Sequence, residues 1–254
     1  MSDIKPIFVF VPGAWHTADG FDQVRSLLMD QGYDSEAIST PSVGSSNPEN
    51  GLHADIEYTK SVIKGLVDSG RQAVVVNHSY GGIVGAGAVE GLGYKQRVEN
   101  GQTGGVIMVV WMGAFVAPKG LSLYNMLGNQ WLPWMVPKDE EGYCYSSQEE
   151  VIFYHDMTET EQKKWISKLQ PQTLKSFLEP AVYESWKDIP SMYIYCVEDQ
   201  ALPMVVQEGF VKTLNEPVKF HIDASHSPFL SKPDEVVKGL EIAVEAGQTA
   251  IEVR

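Results

Sequence analysis

The alternation of strand-like and helix-like segments is the feature that most constrains the fold of this chain. Several strand-like runs are apolar throughout, which is typical of parallel strands buried on both faces. The predicted strands are 6–11, 73–77, 105–112, 192–198 and 218–222, and the predicted helices are 19–31, 52–68, 80–91, 203–214 and 233–246. Strands that alternate with helices in this way form a parallel sheet covered on both faces. The sequence therefore predicts an α/β fold with a mostly parallel central sheet.

Residues 118–189 interrupt this alternation between the third and fourth predicted strands. The segment is rich in aromatic residues, and capping-box patterns that begin at Ser147 and Thr158 predict short helices in it. We therefore expect a core of residues 1–117 and 190–254 with a helical cap of residues 118–189. Trp131 and Trp134 lie in an apolar, proline-containing stretch that favours a pocket wall. The alternative is that these rings only pack the cap on the core.

A sharp turn follows the second predicted strand. The apolar run ends on Asn77-His78-Ser79, and a helix of small residues begins directly after Tyr80. This arrangement is typical of a nucleophile elbow, in which the turn exposes a serine hydroxyl at the carboxyl end of a strand. Gly81 has the small side chain that such a turn needs, whereas Asn77 is larger than the glycine usual at its position. The alternative is a serine that merely caps the helix.

A serine nucleophile needs a base that takes its proton and an acid that orients the base. His226 follows the last predicted strand, and Asp199 follows the strand before it. Each of the three side chains is thus predicted at the carboxyl end of a strand, in the chain order that nucleophile-elbow enzymes use. We predict a catalytic triad of Ser79, Asp199 and His226. Asp199 is preferred to Glu198 because of its shorter side chain, and Asp223 is the alternative acid.

The loop after the first predicted strand completes this predicted site. Ester hydrolysis builds negative charge on the carbonyl oxygen, which backbone N–H groups stabilise. The amides of Tyr80 and Ala14 are the expected donors of the oxyanion hole, and Gly13 allows the backbone to approach the substrate closely. His16 either lines the substrate pocket beside Gly13 or is bonded to the local backbone. His78 is expected to be a packing residue.

These segments resemble the α/β-hydrolase superfamily, near the branch of plant hydroxynitrile lyases, methylesterases and many fungal and bacterial esterases. The matching segments are 8–16, 76–82, 196–203 and 225–231. The resemblance implies the α/β-hydrolase fold. Relatives that cleave cyanohydrins carry a threonine and a lysine where this chain has Gly13 and Ser227, so cyanohydrin cleavage is not expected. The stretch 227–231 is similar to fungal members, some of which act on polyketide-type metabolites.

Charge and cysteine content bear on partners and location. The 254 residues include 33 acidic and 19 basic side chains, a net charge of −14, which argues against nucleic acid or an anionic membrane as partner. The longest apolar run, 105–113, is too short to cross a bilayer, and the first strand begins too early to follow a signal peptide. Cys144 and Cys196 have neither metal-ligand nor disulfide spacing. We expect a cytoplasmic protein without metal or cofactor; a homodimer is left open.

The resulting hypothesis is a serine esterase that cleaves a small, largely apolar carboxylic ester through an acyl-enzyme. One alternative is a non-hydrolytic lyase or cyclase, with retro-aldol, Dieckmann or lactone-forming chemistry on a polyketide-type metabolite. A second alternative is a ligand receptor with a hydrolase fold. A doubly wound nucleotide-binding protein is disfavoured, because no phosphate-binding glycine pattern follows the first predicted strand.

Overall fold

The structure is a computed structural model that describes residues 5–252. Its strands are β1 (Ile7–Val11), β2 (Ser35–Ala37), β3 (Gln72–His78), β4 (Gly105–Met112), β5 (Met135–Lys138), β6 (Tyr143–Ser146), β7 (Gln172–Thr173), β8 (Ser191–Cys196) and β9 (Val218–Ile222). Its α-helices are α1 (Asp22–Asp30), α2 (Leu52–Asp68), α3 (Gly81–Ala88), α4 (Tyr94–Glu99), α5 (Leu123–Met126), α6 (Glu149–Ile152), α7 (Glu159–Ile166), α8 (Leu174–Leu178), α9 (Met204–Val211), α10 (Pro228–Ser231) and α11 (Pro233–Glu252), with 3₁₀ turns at Ala18–Phe21 and Ser185–Lys187.

Six strands form the central sheet in the order β2-β1-β3-β4-β8-β9, and every neighbouring pair is parallel. Helices cover both faces of this sheet. Asn77 of β3 packs against α3. Asn77 is paired with Trp111 of β4, which is paired with Tyr193 of β8, so all three side chains point to the same face of the sheet. Ile194, the next residue along β8, packs against α11. Because successive side chains of a strand point to opposite faces, α3 and α11 lie on opposite sides.

The strands buried on both faces are the ones that sequence patterns locate best. All residues of β1, β4 and β8 are buried. The predicted bounds of 105–112, 218–222 and 52–68 coincide with β4, β9 and α2. The edge strand β2 was not predicted: it has three residues, none of them buried, and therefore no hydrophobic pattern.

The segment 118–189 is not wholly helical, which corrects the expected helical cap. It contains a three-stranded antiparallel sheet in the order β5-β6-β7, beside the short helices α5 to α8. In β6, Cys144 is buried and Tyr145 is exposed, which is the alternation of a strand with one covered face. Strands of two to four residues, such as these three, are too short to stand out in a sequence pattern.

The two capping-box predictions in this segment have different outcomes. Thr158 is the N-cap of α7, and its side chain accepts a hydrogen bond from the Glu161 amide. Ser147 is not an N-cap, and that prediction was wrong. Helix α6 follows Gln148, which adopts a left-handed conformation (φ 60°), while the Ser147 hydroxyl donates to the Trp134 carbonyl.

Within residues 5–252, no helix combines the length and the apolar character needed to cross a bilayer.

Candidate active site

Ser79 lies on the sharp turn between β3 and α3, in a left-handed backbone conformation with φ of 52°. This conformation is uncommon for a residue with a side chain and often marks a functional site. The helix can start immediately because Gly81 and Gly82 follow. A Cβ atom on Gly81 would lie 2.5 Å from the Val11 carbonyl oxygen, and one on Gly82 would lie 2.2 Å from the Phe115 carbonyl oxygen. The two glycines therefore let α3 approach the neighbouring loops.

Asn77, the large residue of the elbow, is accommodated by a glycine elsewhere. Its side chain is fully buried and lies against Gly85 of α3, where an added Cβ would be 1.8 Å from the Asn77 Oδ1. The space that the Asn77 side chain needs is thus provided by the absence of a side chain at Gly85, about one turn into α3.

His226 is joined to Asp199 by a hydrogen bond of 2.7 Å from Nδ1 to Oδ2, and both residues are buried. The other carboxylate oxygen of Asp199 accepts the amides of Ala201 and Leu202, each at 2.8 Å. This leaves the imidazole Nε2 as the ring nitrogen available to a nucleophile. The alternative acid, Asp223, is exposed on the loop after β9.

Two further histidines pack beside His226. His78 is fully buried, its Nε2 donates to the His226 carbonyl at 2.7 Å, and the two ring centres are 4.6 Å apart. Burial is the main cause that holds the pKa of His78 well below its usual value, and the nearby His226 adds to it. His16 donates from Nδ1 to the Ala14 carbonyl, so its Nε2 accepts from the Tyr154 hydroxyl. Burial lowers the pKa of His16 to about 4. Both imidazoles are therefore neutral at physiological pH.

The two amides predicted as oxyanion donors are both free. In the part of the chain that the structure describes, the N–H groups of Ala14 and Tyr80 donate to no protein atom. Gly13 brings the two segments together: a Cβ on Gly13 would lie 2.9 Å from the Ser79 Cβ and 2.8 Å from the His78 Nδ1. Free backbone amides beside a candidate nucleophile are the chemical requirement of an oxyanion hole.

A narrow, partly open cavity lies at Ser79. Apart from Ser79, its lining side chains are apolar or aromatic, and about half of them belong to the segment 118–189. They are Ala14, Trp15, Tyr80, Phe115, Leu123, Leu127, Leu132, Trp134, Met135, Phe177, Ala201 and Leu202. The cavity therefore lies between the parallel-sheet core and this segment.

The structure brings some of the predicted pocket residues to this cavity and not others. Trp134 lines it. Trp131 is one layer behind, because its ring packs on Phe177 at a centroid distance of 5.8 Å. His16 faces a separate small recess beside Trp165, and Gly13 does not line the cavity wall. Sequence reasoning missed Phe115, although its place just after β4, at the carboxyl end of a central strand, was a usable signal.

Within residues 5–252, no three His, Cys, Asp or Glu side chains cluster so that they can hold a metal ion.

Comparisons with known proteins define the family. A model of the alpha/beta hydrolase family matches residues 8–238, and the chain belongs to this family. It is 32% identical to the alpha/beta hydrolase nvfD of Aspergillus novofumigatus, over 98% of this chain and 100% of that protein. It is 27% identical to norfluorocurarine synthase 2 of Strychnos nux-vomica, over 93% of this chain and 94% of that protein.

The fold is also shared with solved structures. The methylesterase protein MES16 from Arabidopsis superimposes with a TM-score of 0.72 at 21% identity, over 94% of this chain and 99% of that one. The predicted α/β-hydrolase fold is confirmed.

Proposed function

We propose that this protein is a serine hydrolase that cleaves a small, largely apolar carboxylic ester, with Ser79 as nucleophile, His226 as base and Asp199 as orienting acid. The observation that carries the proposal is the position of Ser79: it lies on a left-handed turn and lines an apolar cavity together with Ala14 and Tyr80, whose backbone N–H groups donate to no protein atom within residues 5–252. The hydrogen bond from His226 to Asp199 supports the assignment of base and acid.

The proposed reaction follows from these positions. The Asp199 carboxylate accepts a hydrogen bond from the Nδ1–H of His226. The imidazole Nε2 then carries no proton and, in the proposed reaction, takes the proton of Ser79. The serine oxygen attacks the ester carbonyl, and the resulting oxyanion is held by the Ala14 and Tyr80 amides. The imidazolium returns its proton to the leaving alcohol. Water, deprotonated by His226, then releases the acid from the acyl-enzyme.

The substrate class follows from the cavity wall. None of the lining side chains carries a charge, so an ionised substrate has no partner there and loses its hydration on entry. We therefore propose a neutral ester with apolar acyl and alcohol parts. The segment 118–189, which supplies Leu123, Trp134 and Phe177 to the wall, is proposed to act as the cap. The cytoplasmic location stays a prediction, and a homodimer stays an open alternative.

The direct test is Ser79→Ala, assayed with p-nitrophenyl esters of increasing acyl length. We expect kcat to fall by at least about a thousandfold, because the nucleophile is lost, while the fold is kept. Wild-type protein is also expected to react with a fluorophosphonate probe at Ser79, with the modified peptide identified by mass spectrometry. Retained esterase activity in Ser79→Ala would contradict the mechanism, and absence of labelling in wild type would favour a ligand receptor.

The second candidate is a non-hydrolytic lyase or cyclase reaction at the same site. One observation favours it: a relative of nearly equal length is named a synthase. Turnover in ¹⁸O-labelled water separates the two candidates once a substrate is found. Hydrolysis incorporates one labelled oxygen into the product acid, whereas a lyase or cyclase product carries none.

A further inference from the structure

Trp15, directly after the proposed donor Ala14, has a left-handed backbone conformation with φ of 64°. This conformation is unfavourable for a residue with a bulky side chain and persists only where surrounding contacts enforce it. Three hydrogen bonds do so. The Trp15 amide donates to the Gln172 Oε1 at 3.0 Å, its indole donates to the Cys144 carbonyl at 2.9 Å, and its carbonyl accepts from the Gln170 amide at 3.0 Å. All three partners belong to the segment 118–189.

Gln172 continues this connection toward the nucleophile. Its side chain is fully buried, and its Nε2 donates to the Ser42 hydroxyl at 2.8 Å and to the Ser176 hydroxyl at 2.9 Å. The Ser42 hydroxyl in turn donates to the Asp55 Oδ2 at 2.5 Å. The side-chain amide of Gln172 thus accepts one hydrogen bond and donates two, and it is fully buried.

The far end of the chain of hydrogen bonds is Tyr80. Its hydroxyl donates to the same Asp55 Oδ2 at 2.7 Å, and the Asp55 side chain is fully buried. The connection therefore runs from Trp15 through Gln172, Ser42 and Asp55 to Tyr80. It begins beside one proposed oxyanion donor and ends on the residue that carries the other.

We propose that Gln172 is a positioning residue for the oxyanion hole, through which the segment 118–189 sets the Ala14 and Tyr80 amides relative to Ser79. The inference rests on the proposed hydrolase function. Because Gln172 occupies the Trp15 amide, that amide is not an oxyanion donor, and the peptide plane between Ala14 and Trp15 has a defined orientation. Transition-state stabilisation is sensitive to such placement, since misplacement by about 1 Å costs about a hundredfold in rate.

The test compares Gln172→Met, which keeps the length of the side chain but removes its hydrogen bonds, with Gln162→Met. Gln162 is the control: it lies in the same segment and its side chain donates to the Glu150 and Tyr154 carbonyls, with no hydrogen bond to Trp15 or Ser42 in the described residues. We expect Gln172→Met to lower kcat for a p-nitrophenyl ester about 10- to 100-fold with KM changed less than about twofold. Gln162→Met is expected to retain kcat within about twofold.

The second readout is binding of a trifluoromethyl ketone, which adds to the serine and forms an oxyanion, against the non-electrophilic alcohol of the same shape. If Gln172 positions the oxyanion donors, its loss weakens binding of the ketone by the same factor by which it lowers kcat, and it leaves binding of the alcohol unchanged. If Gln172 has only a structural role, its loss weakens binding of both compounds or of neither. Equal ketone affinity in Gln172→Met and wild type, or kcat within twofold of wild type, overturns the inference.

Tyr80→Phe provides an independent variant, because it keeps the ring and the backbone amide and removes the hydroxyl that donates to Asp55. Tyr80→Phe is expected to weaken binding of the ketone by at least about threefold while binding of the alcohol stays unchanged. The effect is expected to be smaller when Gln172→Met is already present. If Gln172→Met does not fold, this selectivity decides the question alone, and equal weakening of ketone and alcohol overturns the inference. Failure of wild type to hydrolyse esters or to bind the ketone contradicts the proposed function instead.

Discussion

At the scale of single residues, the placement of Asp199 depends on a glycine on another strand end. Gly113, just after β4, has φ of 47°, a region that disfavours side chains. A Cβ on Gly113 would lie 3.2 Å from the Asp199 Oδ2 and 3.0 Å from the Cys196 Sγ. A side chain at position 113 would therefore crowd the Asp199 Oδ2, the oxygen that bonds His226. The absence of a side chain at Gly113 therefore leaves room for the Asp199 carboxylate in its present position.

Gly113→Ala is expected to lower kcat/KM at least about tenfold, since it displaces the Asp199 carboxylate from His226. The control is Gly120→Ala, which also imposes a side chain at positive φ (92°) but meets no atom within 4 Å. Gly120→Ala is expected to cost about 1–2 kcal/mol of stability and no activity. Steady-state kinetics and denaturant unfolding of both variants are the measurements. Equal kcat/KM for the two would show that Gly113 has no specific part in the site.

At the scale of elements, the contact between β3 and α3 decides how the elbow is built. The bulky Asn77 at the end of β3 requires Gly85 in α3, because the two positions share one space. Interiors are close-packed, so an extra methyl group at such a contact forces side chains and backbone to move. Gly85 thus explains how this chain can carry a large residue, Asn77, two positions before the proposed nucleophile, where a glycine is usual.

Gly85→Ala is accordingly expected to destabilise the protein by about 3 kcal/mol, measured by urea unfolding. In the background of Asn77→Gly the same substitution should cost at least about 1 kcal/mol less, because the clashing amide is gone. Gly65→Ala, in the last turn of α2 with no atom within 4 Å, is the control and is expected to stabilise by up to about 1 kcal/mol. Additive costs of Gly85→Ala and Asn77→Gly would contradict the shared-space interpretation.

At the scale of the whole molecule, buried titratable groups couple folding to pH. Burial lowers the pKa of His16 to about 4. The unfolded chain binds a proton near pH 6.5, whereas the folded protein does not until about pH 4, so stability is lost as the pH falls through this interval. Asp55 acts in the opposite sense: burial raises its pKa to about 6, and stability is lost as the pH rises from about 4 to about 6.

His16→Asn, which can still donate to the Ala14 carbonyl, isolates the histidine contribution because the Asp55 term is common to both proteins. Between pH 6.5 and 4, the free energy of unfolding of wild type is expected to fall more steeply than that of the variant. The difference accumulates to about 3 kcal/mol, from a shift of about two and a half pH units. Above pH 7 the two curves should run parallel. Parallel curves below pH 6 would refute the burial effect.

Much of the fold could be predicted because its signals are local. A strand buried on both faces is apolar along its length, as β4 is, and an amphipathic helix such as α2 repeats its apolar residues every three or four positions. The edge strand β2 and the small sheet of the segment 118–189 have no such pattern. They are held by pairing with distant residues, so no local window contains the reason for their conformation.

The candidate site divides in the same way. The chain order of Ser79, Asp199 and His226, the elbow and the small residues around it follow from the amino-acid sequence, because strand ends and turns impose local requirements on residue type. Only the tertiary structure decided that Asp199 rather than Asp223 bonds His226, that His16 lies outside the cavity, and that Gln172 holds Trp15 across 157 positions. These outcomes depend on how core and segment 118–189 pack, and packing joins residues whose separation along the chain carries no information about their contact.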